Sequence, residues 1–126
     1  MNTKTTLLTG ALMGLLGVAL GAFGAHALKP MLLESGRLET FELAVRYQFY
    51  HAGALLITGI LQHLFPVGLL RWSALLFVVG ILLFSGSLYA LCFTGVTAIA
   101  MITPVGGVCF IAGWLLMLIA VLKAVK

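Results

Sequence analysis

Side chains that could take part in chemistry are concentrated in one stretch, LETFELAVRYQFYHAG, at residues 38–53. Glu42 and Arg46 are four residues apart, in the acid-before-base order that favours an ion pair along a helix. Tyr47, Gln48 and His51 follow, and such side chains can form hydrogen bonds, hold a polar ligand or transfer a proton. Together with a histidine earlier in the chain they form a candidate polar site: His26, Glu42, Arg46, Tyr47, Gln48 and His51.

His51 is the central residue of this candidate site. It lies about eight to ten residues into an apolar run, which at about 1.5 Å per residue places it some 12–15 Å deep. One interpretation is that Tyr47, Gln48 and His51 form hydrogen bonds between helices. The alternative is a pocket near His26, Tyr47 and His51 for a lipid, a quinone or a proton pathway, because ionisable groups inside a membrane are often functional. The sequence favours the first interpretation.

The same residues do not indicate a cofactor. A haem held by two histidines needs ligands that face each other, whereas His26 is expected near the end of its helix and His51 much deeper. His63 is at the far end of the second run, and no histidine, cysteine or acid has a metal-ligand spacing. Phosphate loops and nucleophile elbows are also missing. We therefore predict no catalytic residue, metal or cofactor, and a protein that is not an enzyme.

Composition places these residues in a membrane protein. Of the 126 residues, 63% are hydrophobic and 8% are charged, against roughly 25% charged in soluble domains. The mean hydropathy is +1.22. The net charge of +4 comes from cations scattered at the ends of apolar runs, where they anchor a membrane protein. Because no basic cluster exists, nucleic-acid binding is not expected.

Four apolar runs, at about 5–28, 41–65, 69–93 and 104–122, are each long enough to cross a bilayer as a helix of about 20 residues. We therefore predict an all-α fold: a single domain over 1–126, forming a four-helix membrane bundle. The connection between the first two runs contains Pro30 and alternates apolar with charged residues. It is predicted to be a short amphipathic segment at the membrane surface.

Four spans place both chain ends on one side of the membrane. That side would hold Lys4, Arg71, Lys123 and Lys126. The other side would hold Lys29 and Arg37, with Arg46 slightly inside the second span. Since the cytoplasmic side carries the excess of positive charge, both termini are expected in the cytoplasm.

The first run carries glycines at alternating spacings of four and three. This register puts all five on one helix face, where close approach of another helix is favoured in a membrane. They are predicted to form a packing seam, within the chain or between copies of it. A cleaved signal peptide is the alternative, but the run is longer than the usual 7–15 residues and rich in glycine. The five residues are Gly10, Gly14, Gly17, Gly21 and Gly24.

Two motifs, GAFGAHAL at 21–28 and FELAVRYQFYHA at 41–52, resemble the YgdD-like family of small bacterial inner-membrane proteins. The resemblance extends over the whole chain, and the family is a domain of unknown function with distant eukaryotic relatives. It implies an integral, multi-pass protein of the bacterial plasma membrane and no established activity. The family motif more often has Thr-Ala-Val before the tyrosine. The Glu42–Arg46 pair is therefore not implied as a family feature, whereas Tyr47 and His51 are unaffected.

The sequence thus predicts a small, non-enzymatic membrane protein that packs with lipid, with itself as a homo-oligomer, or with a larger membrane complex. The pocket described above is the alternative. A small transporter is less favoured, because four spans leave little room for alternating access and no duplicated halves exist. Such a transporter would have to act as an oligomer.

Overall fold

A computed structural model describes every residue of the chain, Met1–Lys126, and contains only helices. Four of its segments are long, and short helices or turns connect them. The α-helices are α1 (Thr3–Ala25), α2 (Lys29–Glu34), α3 (Leu38–Leu64), α4 (Leu69–Gly80), α5 (Gly86–Thr94) and α6 (Thr103–Ala124). A π-helical stretch, Ile81–Ser85, joins α4 to α5, and a 3₁₀ turn, Thr97–Met101, precedes α6.

Local signals set the helix ends. The Asn2 side chain accepts a hydrogen bond from the Thr5 amide at 2.8 Å and caps the start of α1, as asparagine does at many N-termini. The helix ends at Ala25 rather than at residue 28, because the chain turns at His26. Gly36 and Gly95 have φ values of +70° and +69°, a left-handed conformation that glycine adopts without strain. These two glycines end α2 and α5.

The helices α1 and α3 form an antiparallel pair. A Cβ on Gly10 would touch Leu55, whereas one on Gly24 would overlap the Phe41 ring. Contacts therefore move towards the start of α3 as α1 proceeds. The contact is also close from the side of α3, where a Cβ on Gly59 would overlap the Leu7 side chain of α1.

The helix made by α4, the π stretch and α5 is antiparallel to both α3 and α6. Gln62, near the end of α3, bonds the carbonyl of Leu70 at the start of α4. The Ser85 hydroxyl donates to the Ala44 carbonyl at 2.7 Å. On the other side, the Ser73 hydroxyl donates to the Gly113 carbonyl at 2.8 Å. The direction of the chain thus reverses from each of the four long segments to the next.

Three segments are long and apolar enough to cross a membrane: Thr3–Ala25, Leu69–Thr94 and Thr97–Ala124. The prediction of an all-α membrane protein is confirmed to this extent. The fourth predicted span, in α3, is long enough at 27 residues, but it carries most of the polar side chains. It therefore stays a prediction.

The main core lies where α3, α4 and α6 meet. It contains Leu55, Phe77 and Phe110, which are almost fully buried. A smaller core under α2 contains Leu32, Phe41 and Cys92. The short helix is therefore held to the protein by Leu32, while Met31 and Leu33 are exposed.

Candidate functional site

His51 lies in the middle of the protein, and both of its ring nitrogens are hydrogen-bonded. Its Nδ1 is 2.7 Å from the Tyr47 carbonyl oxygen. The Trp114 indole N–H of α6 points at Nε2 from 3.0 Å. An indole can only donate and a carbonyl can only accept. His51 is therefore neutral, with its proton on Nδ1, and no nitrogen remains free for a ligand.

Aromatic rings enclose the imidazole. The Phe110 ring stacks on it with centroids 3.5 Å apart and planes 8° from parallel, and Phe77 and Tyr47 lie within 6.0 Å. His51 is only 5% exposed. Aromatic pairs at the separations of Phe77 and Tyr47 attract each other beyond the area that they bury. The imidazole therefore acts as part of the packed core that joins α3 to α4 and α6.

Gln48 makes a second set of connections from α3. Its Nε2 donates to the Met13 carbonyl of α1 at 3.0 Å. Its Oε1 accepts from the Tyr89 hydroxyl of α5 at 2.7 Å. The side chain is 3% exposed. One amide thus connects three helices, and His51, one turn further along, connects α3 to α6.

Tyr47 contributes its ring rather than its hydroxyl. The ring stacks on Phe84 with centroids 4.6 Å apart. The hydroxyl makes no hydrogen bond within the chain, yet it is not among the buried unpaired polar atoms. Tyr47 therefore belongs to the aromatic core and reaches the surface at its tip.

His26 lies apart from these residues. It follows the last residue of α1 and its side chain is exposed. Gly24 contacts Phe41 and Gly17 contacts Gln48, and these two glycines are seven residues apart, or about 10 Å along the helix. His26 is therefore more than one helical turn beyond the level of Gln48. The proximity of His26 to Tyr47 and His51 that the pocket alternative requires is not formed.

Glu42 and Arg46 face away from the core. Both are exposed, and Arg46 Nε donates to the Glu42 carbonyl oxygen at 3.4 Å rather than to its carboxylate. The chain forms no salt bridge. The two charged side chains lie beside a groove between α1 and α3, whose other walls are Gly21, Gly24, Ala25, Phe41 and Val45.

Four of the five glycines in the predicted seam face α3. A Cβ on Gly10 or Gly17 would be tight against α3 at 3.1 and 3.3 Å. Gly21 is similarly close to Val45, and Gly24 has no room at all. Gly14 differs, because nothing lies within 4 Å of its Cβ position. It lines a shallow apolar groove on the outer surface of α1 and α3 instead.

Several inter-helix contacts involve residues that the sequence did not single out for a site. Trp114 and Tyr89 complete the hydrogen bonds of His51 and Gln48. Ser85, fully buried in the π stretch, bonds α3. A buried serine in an apolar helix was the available signal, but the sequence does not identify its partner. The structure brings no three His, Cys, Asp or Glu side chains close enough together to hold a metal ion.

Comparison with known proteins identifies the family. Residues 20–107 match the family described as a protein of unknown function, DUF423. The chain belongs to the DUF423 family.

Curated relatives of this DUF423 protein are called UPF0382 membrane proteins. The UPF0382 inner membrane protein YgdD of Escherichia coli K12 is 38% identical over 125 residues, 98% of this chain and 93% of YgdD. YwdK of Bacillus subtilis 168 is 39% identical over 121 residues, 95% and 98% of the two chains. A UPF0382 membrane protein of Staphylococcus epidermidis ATCC 12228 is 42% identical over 120 residues, 95% and 97%. No solved structure matches.

The resemblance to the YgdD-like family is thereby confirmed. The DUF423 protein is a member of a membrane protein family of unknown function, with an inner-membrane representative in E. coli. The names of the relatives give no reaction, ligand or partner.

Proposed function

We propose that this protein crosses the bacterial plasma membrane four times with both termini in the cytoplasm. Support comes from the alternating directions of the four long segments and from the 27-residue length of α3, which at about 1.5 Å per residue exceeds a bilayer core of about 30 Å. Among the polar side chains that lower the hydropathy of α3, Gln48 and His51 are turned inward, whereas Glu42 and Arg46 are exposed near one end of the helix. A helix with this arrangement can span when neighbours cover its polar face.

Within the membrane, the protein acts as a non-enzymatic packing component that associates with lipid and with other membrane proteins or copies of itself. One observation carries this proposal: every side-chain hydrogen-bonding atom of Gln48 and His51 is occupied by another group of the same chain. Polar groups arranged in this way stabilise helix packing. They leave the outer surface as the part of the molecule that is available for interaction.

The outer surface of α1 is the main candidate for that interaction. The helix packs chiefly on α3, and only 17% of its most apolar 18-residue stretch is buried. Leu8, Leu15 and Val18 project from it and are at least 60% exposed. Gly14 and Gly53 lie between such side chains with open space above them. Small residues flanked by large apolar ones are typical of surfaces where membrane helices associate.

A pocket at His26, Tyr47 and His51 for a quinone or protons has less support. None of the four main cavities is lined by any of these three residues. The imidazole is covered by Phe110 and bonded at both nitrogens. A ligand would have to break these contacts before it reached His51.

The proposal is tested by crosslinking in native membranes followed by purification in mild detergent. Amine-reactive reagents reach Lys4, Lys29, Lys123 and Lys126, which are all exposed. We expect a crosslinked dimer or larger species, or a purified protein that retains lipid in a fixed ratio. Recovery of a monomer without retained lipid or partner would refute the proposal. Protease accessibility of tags at each end tests the orientation separately.

A further inference from the structure

The groove between the end of α1 and the start of α3 has the composition of a lipid headgroup site. It encloses about 280 Å³. Its floor and walls are apolar or small: Gly21 and Ala25 on α1, Phe41 and Val45 on α3. The two charged residues that line the groove, Glu42 and Arg46, have opposite charges. The groove therefore joins an apolar surface to one anion and one cation.

Both charges are available to a ligand. Arg46 uses only Nε within the chain, so its two terminal nitrogens make no hydrogen bond. The Glu42 carboxylate has no salt-bridge partner. The two residues are one helical turn apart, so their side chains are neighbours on the surface of α3. Charges exposed in a membrane protein without partners inside the protein are costly unless lipid or water compensates them.

The depth of the groove matches the headgroup layer. Gly21 is in contact distance of Val45 and lies four residues before the end of α1. That corresponds to about 6 Å along the helix. The polar layer on each side of a bilayer is also roughly 5–7 Å thick. Arg46 and Glu42 therefore lie where phosphate and amine groups of lipids occur.

We propose that this groove binds phosphatidylethanolamine, a deepening of the packing role proposed above that rests on it. The lipid phosphate accepts hydrogen bonds from the free Arg46 nitrogens, in the paired geometry that guanidinium favours. The lipid ammonium donates to the Glu42 carboxylate. One acyl chain lies on the apolar lining of the groove beside Val45.

Charge complementarity selects this headgroup among common phospholipids. Phosphatidylglycerol carries a phosphate without an amine, so Glu42 would repel it while Arg46 attracts it. Phosphatidylcholine has a quaternary amine that cannot donate a hydrogen bond. Of these three lipids, only phosphatidylethanolamine satisfies both charges with hydrogen bonds, and hydrogen bonds between charged groups are the strong ones.

The test is native mass spectrometry of the full-length protein in detergent, after incubation with an equimolar mixture of the three lipids. We expect wild type to retain phosphatidylethanolamine in preference to the other two. Arg46→Gln should lower that retention about tenfold, because it removes charge-assisted hydrogen bonds. Glu42→Gln should lower it similarly and should raise retention of phosphatidylglycerol. Equal retention of the three lipids by wild type would overturn the proposal.

Matched controls separate this site from general lipid contact. Arg71→Gln and Glu34→Gln remove exposed charges of the same kinds elsewhere and should leave retention unchanged. Ala25→Leu fills the groove, whereas Ala19→Leu adds the same bulk to an exposed position of α1 outside it. Only Ala25→Leu should reduce phosphatidylethanolamine, with circular dichroism confirming that both variants stay helical.

The outcomes also separate this site from the broader function. If Arg46→Gln and Glu42→Gln retain lipid as wild type does, the site is refuted, while a protein that still crosslinks keeps its packing role. If wild type retains no lipid and also fails to crosslink, both proposals fall.

Discussion

Gly106 is the position where the substitution of one hydrogen by a methyl group should separate two helices. It lies in the first turns of α6 against the π stretch between α4 and α5. A Cβ there would overlap the Phe84 amide nitrogen and would lie 2.8 Å from both Leu83 C and Phe84 Cα. These are backbone atoms, so no side chain can rotate away. Restoring an ordinary contact of 3.4 Å with these two atoms needs a shift of about 0.6 Å against a packed core, and the nearer Phe84 nitrogen requires a larger one.

Gly107 provides a matched control in the next position. A Cβ on Gly107 would lie 3.9 Å from the Phe84 ring, an ordinary contact. Gly106→Ala and Gly107→Ala share the gain in helix propensity, about 1 kcal/mol, so this gain cancels in their difference. What remains is the overpacking cost at Gly106, about 1–3 kcal/mol. We expect Gly106→Ala to be less stable than Gly107→Ala by this amount.

The free energy of unfolding can be measured by SDS titration of the protein in mixed micelles, with far-ultraviolet circular dichroism as the signal. Both variants and wild type are compared under one detergent composition. If Gly106→Ala and Gly107→Ala unfold within about 0.5 kcal/mol of each other, a range usual for substitutions without a structural consequence, the close approach of α6 to the π stretch is wrong.

Three further predictions use the same assay. A double-mutant cycle of His51→Phe and Trp114→Phe should give a coupling of about 0.6 kcal/mol, the average for hydrogen bonds between membrane helices. A coupling near zero would exclude the bond between them. Gly24→Ala should lose about 1–3 kcal/mol by overlap with a phenylalanine ring, whereas Gly14→Ala, with open space around it, should not; equal effects would contradict the assigned seam. Ser85→Ala should lose about 0.6 kcal/mol, the average for such bonds, with its one inter-helix hydrogen bond, and an unchanged stability would show that this bond contributes nothing.

Helix faces could be predicted from the sequence because they depend only on spacing along one helix. The 4-3 register of the glycines in α1 placed Gly10, Gly17, Gly21 and Gly24 on one face, and that face meets α3. The same register does not determine how far the partner helix extends sideways. Gly14 shares the face, yet it lies at the edge of the contact. Periodicity therefore predicts a direction but not the width of the contact.

Partners across helices could not be predicted. His51 was expected to bond another helix, but Trp114 is 63 residues away, and nothing in one sequence relates these positions. The approach of His26 to Tyr47 and His51 that the alternative pocket requires is absent for a similar reason. The chain turns at the end of α1 and leaves His26 at the surface. A single sequence shows that a residue is polar and deep, while the packing of separate segments decides which groups it meets.

The π stretch was also not predicted, although it explains how several contacts coexist. In Ile81–Ser85 the Gly86 amide bonds the Ile81 carbonyl, five residues back, instead of the usual four. This inserts one extra residue in the turn and changes which side chains face each neighbour afterwards. Phe84 can then stack on Tyr47, and the next residue, Ser85, can bond α3. A run of apolar residues carries no sign of such an insertion.

The polar α3 and the more apolar long helices depend on one another, because the other helices cover the buried polar side chains of α3. As a helix surrounded by lipid alone, α3 would expose an amide and an imidazole to hydrocarbon, where unpaired polar groups are costly. Here α1 and α5 supply the partners of Gln48, and α3 itself and α6 supply those of His51. These hydrogen bonds make the packing of α3 specific, because a helix packed at another rotation would leave these atoms unpaired. In the proposed four-span arrangement, Glu42 and Arg46 lie near the membrane surface, where headgroups and water can compensate them, so the same helix can carry charges that face outward.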